Sequence, residues 1–117
     1  MMGRFEIEDS GTATVVRLFG VPSVDVIRGA HEQILSRLNA GGPRSVIYDG
    51  RAMEPPTVEV PLSQWLLDRD FEPFKLRRAV IVPDTKLAYL ARLAFHNDDF
   101  RVFYNDYAAA LEWLESP

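Results

Sequence analysis

The sequence predicts an α/β fold: an N-terminal β-hairpin followed by a β-α superhelix, giving a five-stranded, mostly parallel sheet with four helices. Three observations lead there. Residues near the N-terminus alternate with period two. Short apolar runs then alternate with stretches of helical periodicity, the pattern of parallel strands joined by helical crossovers. Residues that cap helices and break strands fall at the junctions. With 117 residues, the chain reads as a single domain, residues 1–117, built on one sheet-and-helix core.

The elements follow in order. Phe5-Glu6-Ile7-Glu8 alternates as a strand does, and Asp9-Ser10-Gly11 is turn chemistry. Ala13 to Phe19 is therefore expected to pair back antiparallel. Gly20-Val21-Pro22 breaks that strand, and Ser23 is placed to cap a helix running to about Asn39. Ile27, Ala30, Ile34, Leu35 and Leu38 form its apolar stripe, and the Gly41-Gly42-Pro43 segment ends it. Val46-Ile47-Tyr48 reads as a short buried strand. A second helix is expected from near Pro61, a residue suited to a first helical turn, with Leu62, Trp65 and Leu66 as its apolar face. Ala79 to Val82 is a strand without a polar residue. Asp84 caps a helix from Thr85 to about His96, Arg101 to Tyr104 is the last strand, and Asp106 caps a final helix to about Glu115. Tyr107, Ala110, Leu111 and Leu114 fall on the core side of that helix. Trp65 and Trp113 read as anchors at the edge of the core.

This order has a consequence for the sheet. If the parallel strands follow one another in space, right-handed crossovers put their helices on one face. Either parity of Val80-Ile81-Val82, Val46-Ile47 and Val102-Phe103 is apolar, so the other face must be covered too. The candidates are the Arg51–Val60 segment, a helix that crosses over, a partner chain or a ligand.

Composition excludes several classes. A net charge of −4 with scattered basic residues gives no concentrated basic face for nucleic acid. Lys75, Arg77 and Arg78 read as a solvated strand end. The chain has no cysteine, which removes thiol nucleophiles, disulfides and cysteine-ligated zinc. No apolar run approaches the ~20 residues of a membrane span. Charged residues at the N-terminus leave no signal-peptide core, so the expected compartment is the cytoplasm.

The chemistry-bearing residues are few. No catalytic motif is present, and the sequence calls for no cofactor and no metal. Asp49 stands at the carboxyl end of a strand, where α/β folds place ligand sites. The same residue type fixes a turn before a glycine such as Gly50. Asp49, Arg51, Met53 and Val58 are the expected ligand-binding residues, set in a proline-stiffened Arg51–Val60 loop that cannot join the sheet. His31 lies at the edge of the first helix's stripe and is expected to pack with one nitrogen satisfied. His96, Asn97, Asp98 and Asp99 have the spacing of a helix end rather than of a metal site. On the third helix, Leu87, Leu90, Ala91 and Ala94 share the side facing the sheet. Tyr89, Arg92, Leu93 and His96 fall opposite, where Tyr89 and Leu93 form an outward apolar pair. Those four are the expected partner interface, and the expected assembly is a homodimer.

The closing segment "RVFYNDYAAALEWL", residues 101–114, resembles the end of the bacterial SpoIIAA-like family, in which a strand leads into an acid-capped helix. "SVIYDGRAM" resembles that family's strand ending in an aspartate, and "RRAVIVPD" its central strand. The resemblance spans nearly the whole chain and implies the STAS/SpoIIAA-like fold, distantly related to Sec14-type domains. It implies a binding or regulatory module working through protein–protein association, or a carrier of a small apolar or amphipathic ligand. Antagonists of this fold carry a phosphorylatable serine after the third strand. The matching stretch, Gly50 to Ser63, lacks their serine-glycine pattern and offers only Thr57 and Ser63 as hydroxyls.

Overall fold

The computed structural model describes residues 2–95 and 99–116. Five strands, β1 (Arg4–Asp9), β2 (Thr14–Gly20), β3 (Ser45–Met53), β4 (Arg77–Val82) and β5 (Asp99–Tyr104), lie side by side in sequence order. β1 pairs antiparallel with β2, and every later pairing is parallel. The helices are α1 (Val24–Asn39), α2 (Glu59–Leu67), α3 (Thr85–Ala94) and α4 (Tyr107–Glu115), and a 3-10 helix, Asp68–Phe74, continues from α2.

Local chemistry starts α1, α3 and α4 where the sequence indicates. Ser23 accepts a hydrogen bond from the Val26 N–H, Asp84 from Leu87, and Asp106 from Ala109. Each cap satisfies a backbone donor that a helix start leaves without an intrahelical partner. At the end of α1 the chain turns through Gly41 at φ +85°, a conformation that costs a residue without Cβ little.

The second face is closed by a helix. On the first face, Val16, Leu18, Val46, Tyr48, Val80 and Val82 pack against α1, α3 and Phe71 of the 3-10 helix. The alternate residues Ala13, Val15, Ile47, Ala79 and Ile81 pack against Ala110 and Leu114 of α4. Three crossovers thus cover one face, and the last helix crosses to the other. Arg77 fastens it: the guanidinium donates to the carbonyls of Trp113 (3.2 Å) and Ser116 (2.7 Å) and lies 4.2 Å from the Trp113 ring centroid. A cation at the C-terminal end of a helix also suits its dipole.

Two expectations need correction. Arg78 is no solvated strand end: it is fully buried on the first face. Its Nη1 and Nη2 donate to the two carboxylate oxygens of Asp68, each at 2.6 Å, and its guanidinium lies 4.4 Å from the Phe95 ring centroid. Burial alone would lower the Arg78 pKa, but the hydrogen bonds and charge of Asp68, with Tyr48 beside them, hold it above its usual value. Gln64 donates to the same carboxylate at 3.1 Å. The inward side of α2 is therefore Val60, Pro61 and Gln64, leading to Asp68. Leu62, Trp65 and Leu66, expected in the core, are turned out, 47%, 42% and 60% exposed. The helical angle explains the reversal, since at 100° per residue positions 62 and 66 oppose 64 and 68, and position 65 lies on the flank between the two sides.

The buried pair yields a stability test. Asp68→Ala leaves the Arg78 charge without its partner and is expected to cost about 3–5 kcal/mol. Asp68→Leu with Arg78→Met, which removes both charges, should recover most of that loss. Urea unfolding of the three proteins measures both effects; equal losses in the single and double variants would contradict the pairing.

Candidate functional site

The expected ligand-binding residues separate onto different surfaces. The sequence places a turn at Asp49-Gly50, but β3 continues through Asp49 to Met53. Arg51-Ala52-Met53 belongs to the sheet: Ala52 pairs with Phe19 and Met53 with Gly20, and the Glu54 N–H donates to the Gly20 carbonyl at 2.8 Å. The register between β2 and β3 shifts over Arg17–Phe19, so β3 carries one residue more than β2 there, the signature of a β-bulge. Gly50 sits in this bulge, where an added Cβ would come 3.1 Å from the Ile81 carbonyl oxygen. Only the Glu54–Val58 segment connects β3 to α2.

Asp49 pins the bulge. Its Oδ1 accepts from the Arg51 backbone N–H (3.2 Å) and from Arg51 Nε (2.9 Å), while Oδ2 accepts from Arg51 Nη2 (2.7 Å). Arg17 stands across the strand pair with Nε 3.9 Å from Oδ2. Asp49 thus bonds nearby backbone as its residue type suggests, within a strand rather than at a turn. Burial pushes its carboxyl upward, but the Arg51 hydrogen bonds and the charges of Arg51 and Arg17 outweigh burial and hold the pKa below the ordinary value. Arg51 also lies 5.4 Å from the Tyr107 ring centroid at the start of α4. The cluster occupies the second face, where Arg17, Phe19, Asp49, Arg51 and Ala52 border an open depression. The one acid among these residues, Asp49, already holds a guanidinium.

Met53 lies elsewhere. It lines a cavity of about 80 Å³ between the first face and α1, α2 and α3, with Leu18, Val60, Val82, Leu87 and Ala91 among its walls. Val58 points outward and is exposed. Thr57 is exposed just before α2, its hydroxyl 3.3 Å from Glu59 Oε1, and Ser63 is half-buried on α2.

The expected partner surface is only partly present. Tyr89 is 61% exposed and Arg92 is exposed. Leu93 is no outward partner for Tyr89: it is half-buried and packs against the first-face core, so its place on the helix rim gives it neighbours. His96, Asn97 and Asp98 lie outside the described residues, and Asp99 pairs with Arg77 at 2.9 Å. Sequence reasoning missed the α2 stripe of Val58, Leu62, Trp65 and Leu66. The signal was the second spacing, Val60, Pro61, Gln64 and Asp68, with a buried cation elsewhere to match it. His31 packs as expected, Nε2 2.9 Å from Asp70 Oδ2 and the ring 4.3 Å from that of Phe71. Among the described residues no group of three or more His, Cys, Asp or Glu side chains is placed to hold a metal ion. Among them also, no helix is long and apolar enough to cross a membrane.

Solved structures match this geometry along nearly the whole chain. The unphosphorylated anti-sigma factor antagonist SpoIIAA superposes with a TM-score of 0.70 at 13% identity, covering 97% of this chain and 99% of that one. The fold is SpoIIAA-like. A DUF3478 protein of Shewanella loihica PV-4, described as having a SpoIIAA-like fold, gives 0.69 at 20% identity over 96% of this chain and 93% of its own. An anti-sigma factor antagonist from Mycobacterium paratuberculosis gives 0.64 at 19% identity, covering 97% and 95%. No family model and no curated protein matches the sequence.

The Asp49 cluster predicts a pH dependence. A carboxyl whose pKa is depressed by folding stabilises above its unfolded pKa, near ~3.9, and loses that contribution as pH falls through the folded value. Asp49→Asn should therefore cost about 1.5–3 kcal/mol at pH 7, and the gap to wild type should close in acid. Urea unfolding from pH 7 to pH 2 measures it; a gap independent of pH would contradict the assignment.

Proposed function

We propose that the protein is a non-enzymatic, one-domain regulatory module that works in the cytoplasm by protein–protein association through the outer face of α2. The observation that carries this reading is the exposed stripe of Val58, Leu62, Trp65 and Leu66. Isolated exposed leucines are ordinary on soluble proteins. Three large apolar side chains within two helical turns, one of them Trp, form a contiguous patch of the kind that marks an interaction surface. α2 packs beside α3, whose Tyr89 provides a further exposed aromatic. Neighbours in fold are anti-sigma factor antagonists, which supports association as the mode of action. Self-association into a homodimer is the narrower form of the same reading, resting on Tyr89 and the α2 stripe, since Leu93 is half-buried against the core.

A photocrosslinking residue replacing Leu66, with one replacing Arg101 on β5 as control, tests the reading in living cells. Position 66 should give a discrete protein adduct, and position 101 none. Leu62→Asp should reduce the adduct about tenfold or more and leave the circular dichroism spectrum unchanged. Sedimentation at increasing concentration then separates a second copy from a different protein. Equal adducts at both positions, or none at position 66, would contradict the reading.

A further inference from the structure

We infer that the cavity beneath α2 is a socket for a single aliphatic side chain of the protein partner, an inference that rests on the association reading above. The cavity lies at the carboxyl ends of β2, β3 and β4. Its origin is visible in the sequence. Along β3, Val46 and Tyr48 fill the first face, and at the next inward position Gly50 offers no side chain. α3 lines the opposing wall with Leu87 and Leu90 and with the small Ala91 and Ala94. The partly exposed Ile27, Met53, Pro56 and Ala91 border its mouth.

Size and lining select the occupant. An apolar cavity of about 150 Å³ accepts benzene, so about 80 Å³ holds a group of roughly four carbons, the size of a leucine, isoleucine or valine side chain. Pockets for drug-sized ligands run to about 300–1,000 Å³, and a lipid chain is larger than the space as well. The exposed lining is apolar almost throughout. Pro22, Pro56 and Pro61 line it without any N–H to offer, and Asp49 and Arg51 lie on the opposite face of the sheet. A polar group entering would lose its hydration without compensation. Location names the source. Val60 and Pro61 line the cavity, while Val58 and Leu62 of the same turn belong to the exposed stripe. One partner segment lying along α2 can therefore place an apolar anchor in the socket, the arrangement that dominates the energy of many interfaces. Met53 supplies an adaptable wall.

Two variants fill the space from different helices, Ala91→Leu and Val60→Phe. Xenon is the probe for the cavity itself. In wild type it should shift the methyl resonances of Leu18, Val82 and Leu87, and in the filled variants it should not. Both variants should remain folded by circular dichroism, and each should cut the position-66 crosslink about tenfold. A wild-type crosslink yield in both filled variants would overturn the socket and leave the association reading standing. No adduct in the wild-type background would remove both. Failure of xenon to shift those methyls, or a co-purifying small molecule that filling displaces, would also overturn the side-chain assignment.

Discussion

The buried ion pair between Arg78 and Asp68 is the constraint on which the remaining architecture depends. Taking a guanidinium and a carboxylate out of water costs several kcal/mol per ion, and only near-ideal geometry offsets it. Here both carboxylate oxygens are met at 2.6 Å, Gln64 adds a further bond, and aromatic rings of Phe95 and Phe71 lie against the cation. Gln64 and Asp68 stand four residues apart, so satisfying Arg78 fixes the rotation of α2 and the start of the 3-10 helix together. The exposure of Leu62, Trp65 and Leu66 follows from that rotation. The apolar outer stripe is thus a consequence of an electrostatic demand in the core.

A second constraint comes from the pleat. Successive residues of β3 face opposite sides of the sheet, and its carboxyl end therefore serves two unlike surfaces. Asp49 and Arg51 form a closed charge cluster on the side that α4 only partly covers. Gly50 and Met53 border an apolar cavity on the side of α1, α2 and α3. The bulge at Gly50 lets these surfaces meet within five residues, and the Asp49 carboxylate holds it in place by bonding the Arg51 N–H. Fold neighbours that are anti-sigma factor antagonists share the scaffold, while scaffold alone does not transmit a site.

What was legible in the sequence was local. Ser23, Asp84 and Asp106 cap where their positions suggest, and the alternation of β1 with the Asp9-Ser10-Gly11 turn gives the hairpin. The doubly apolar strands correctly required a covering layer, although the sequence left open that α4 provides it. The misreadings share a cause. Asp49-Gly50 and Pro55-Pro56 have turn composition, but pairing with β2 draws Arg51 to Met53 into the sheet, where backbone hydrogen bonds outweigh local preference. Arg78 looks like a surface charge until its partner Asp68, ten residues earlier, is known to share its side of the sheet. Long-range pairing of buried charges leaves no periodic trace, and the orientation of α2 depended on it. The expected ligand-binding residues do not sit together, because they were read as one loop, while the pleat divides them.

Hydrogen exchange in an Arg78→Lys variant tests the central claim most directly. Lysine keeps the charge but cannot bond both carboxylate oxygens in one plane or stack as a guanidinium does. If the ion pair seats α2, amides from 59 to 74 should exchange about tenfold faster or more, and their acceleration should exceed that of Val80 to Val82. Unchanged exchange over 59 to 74, or the same acceleration in α2 as in β4, would contradict the account.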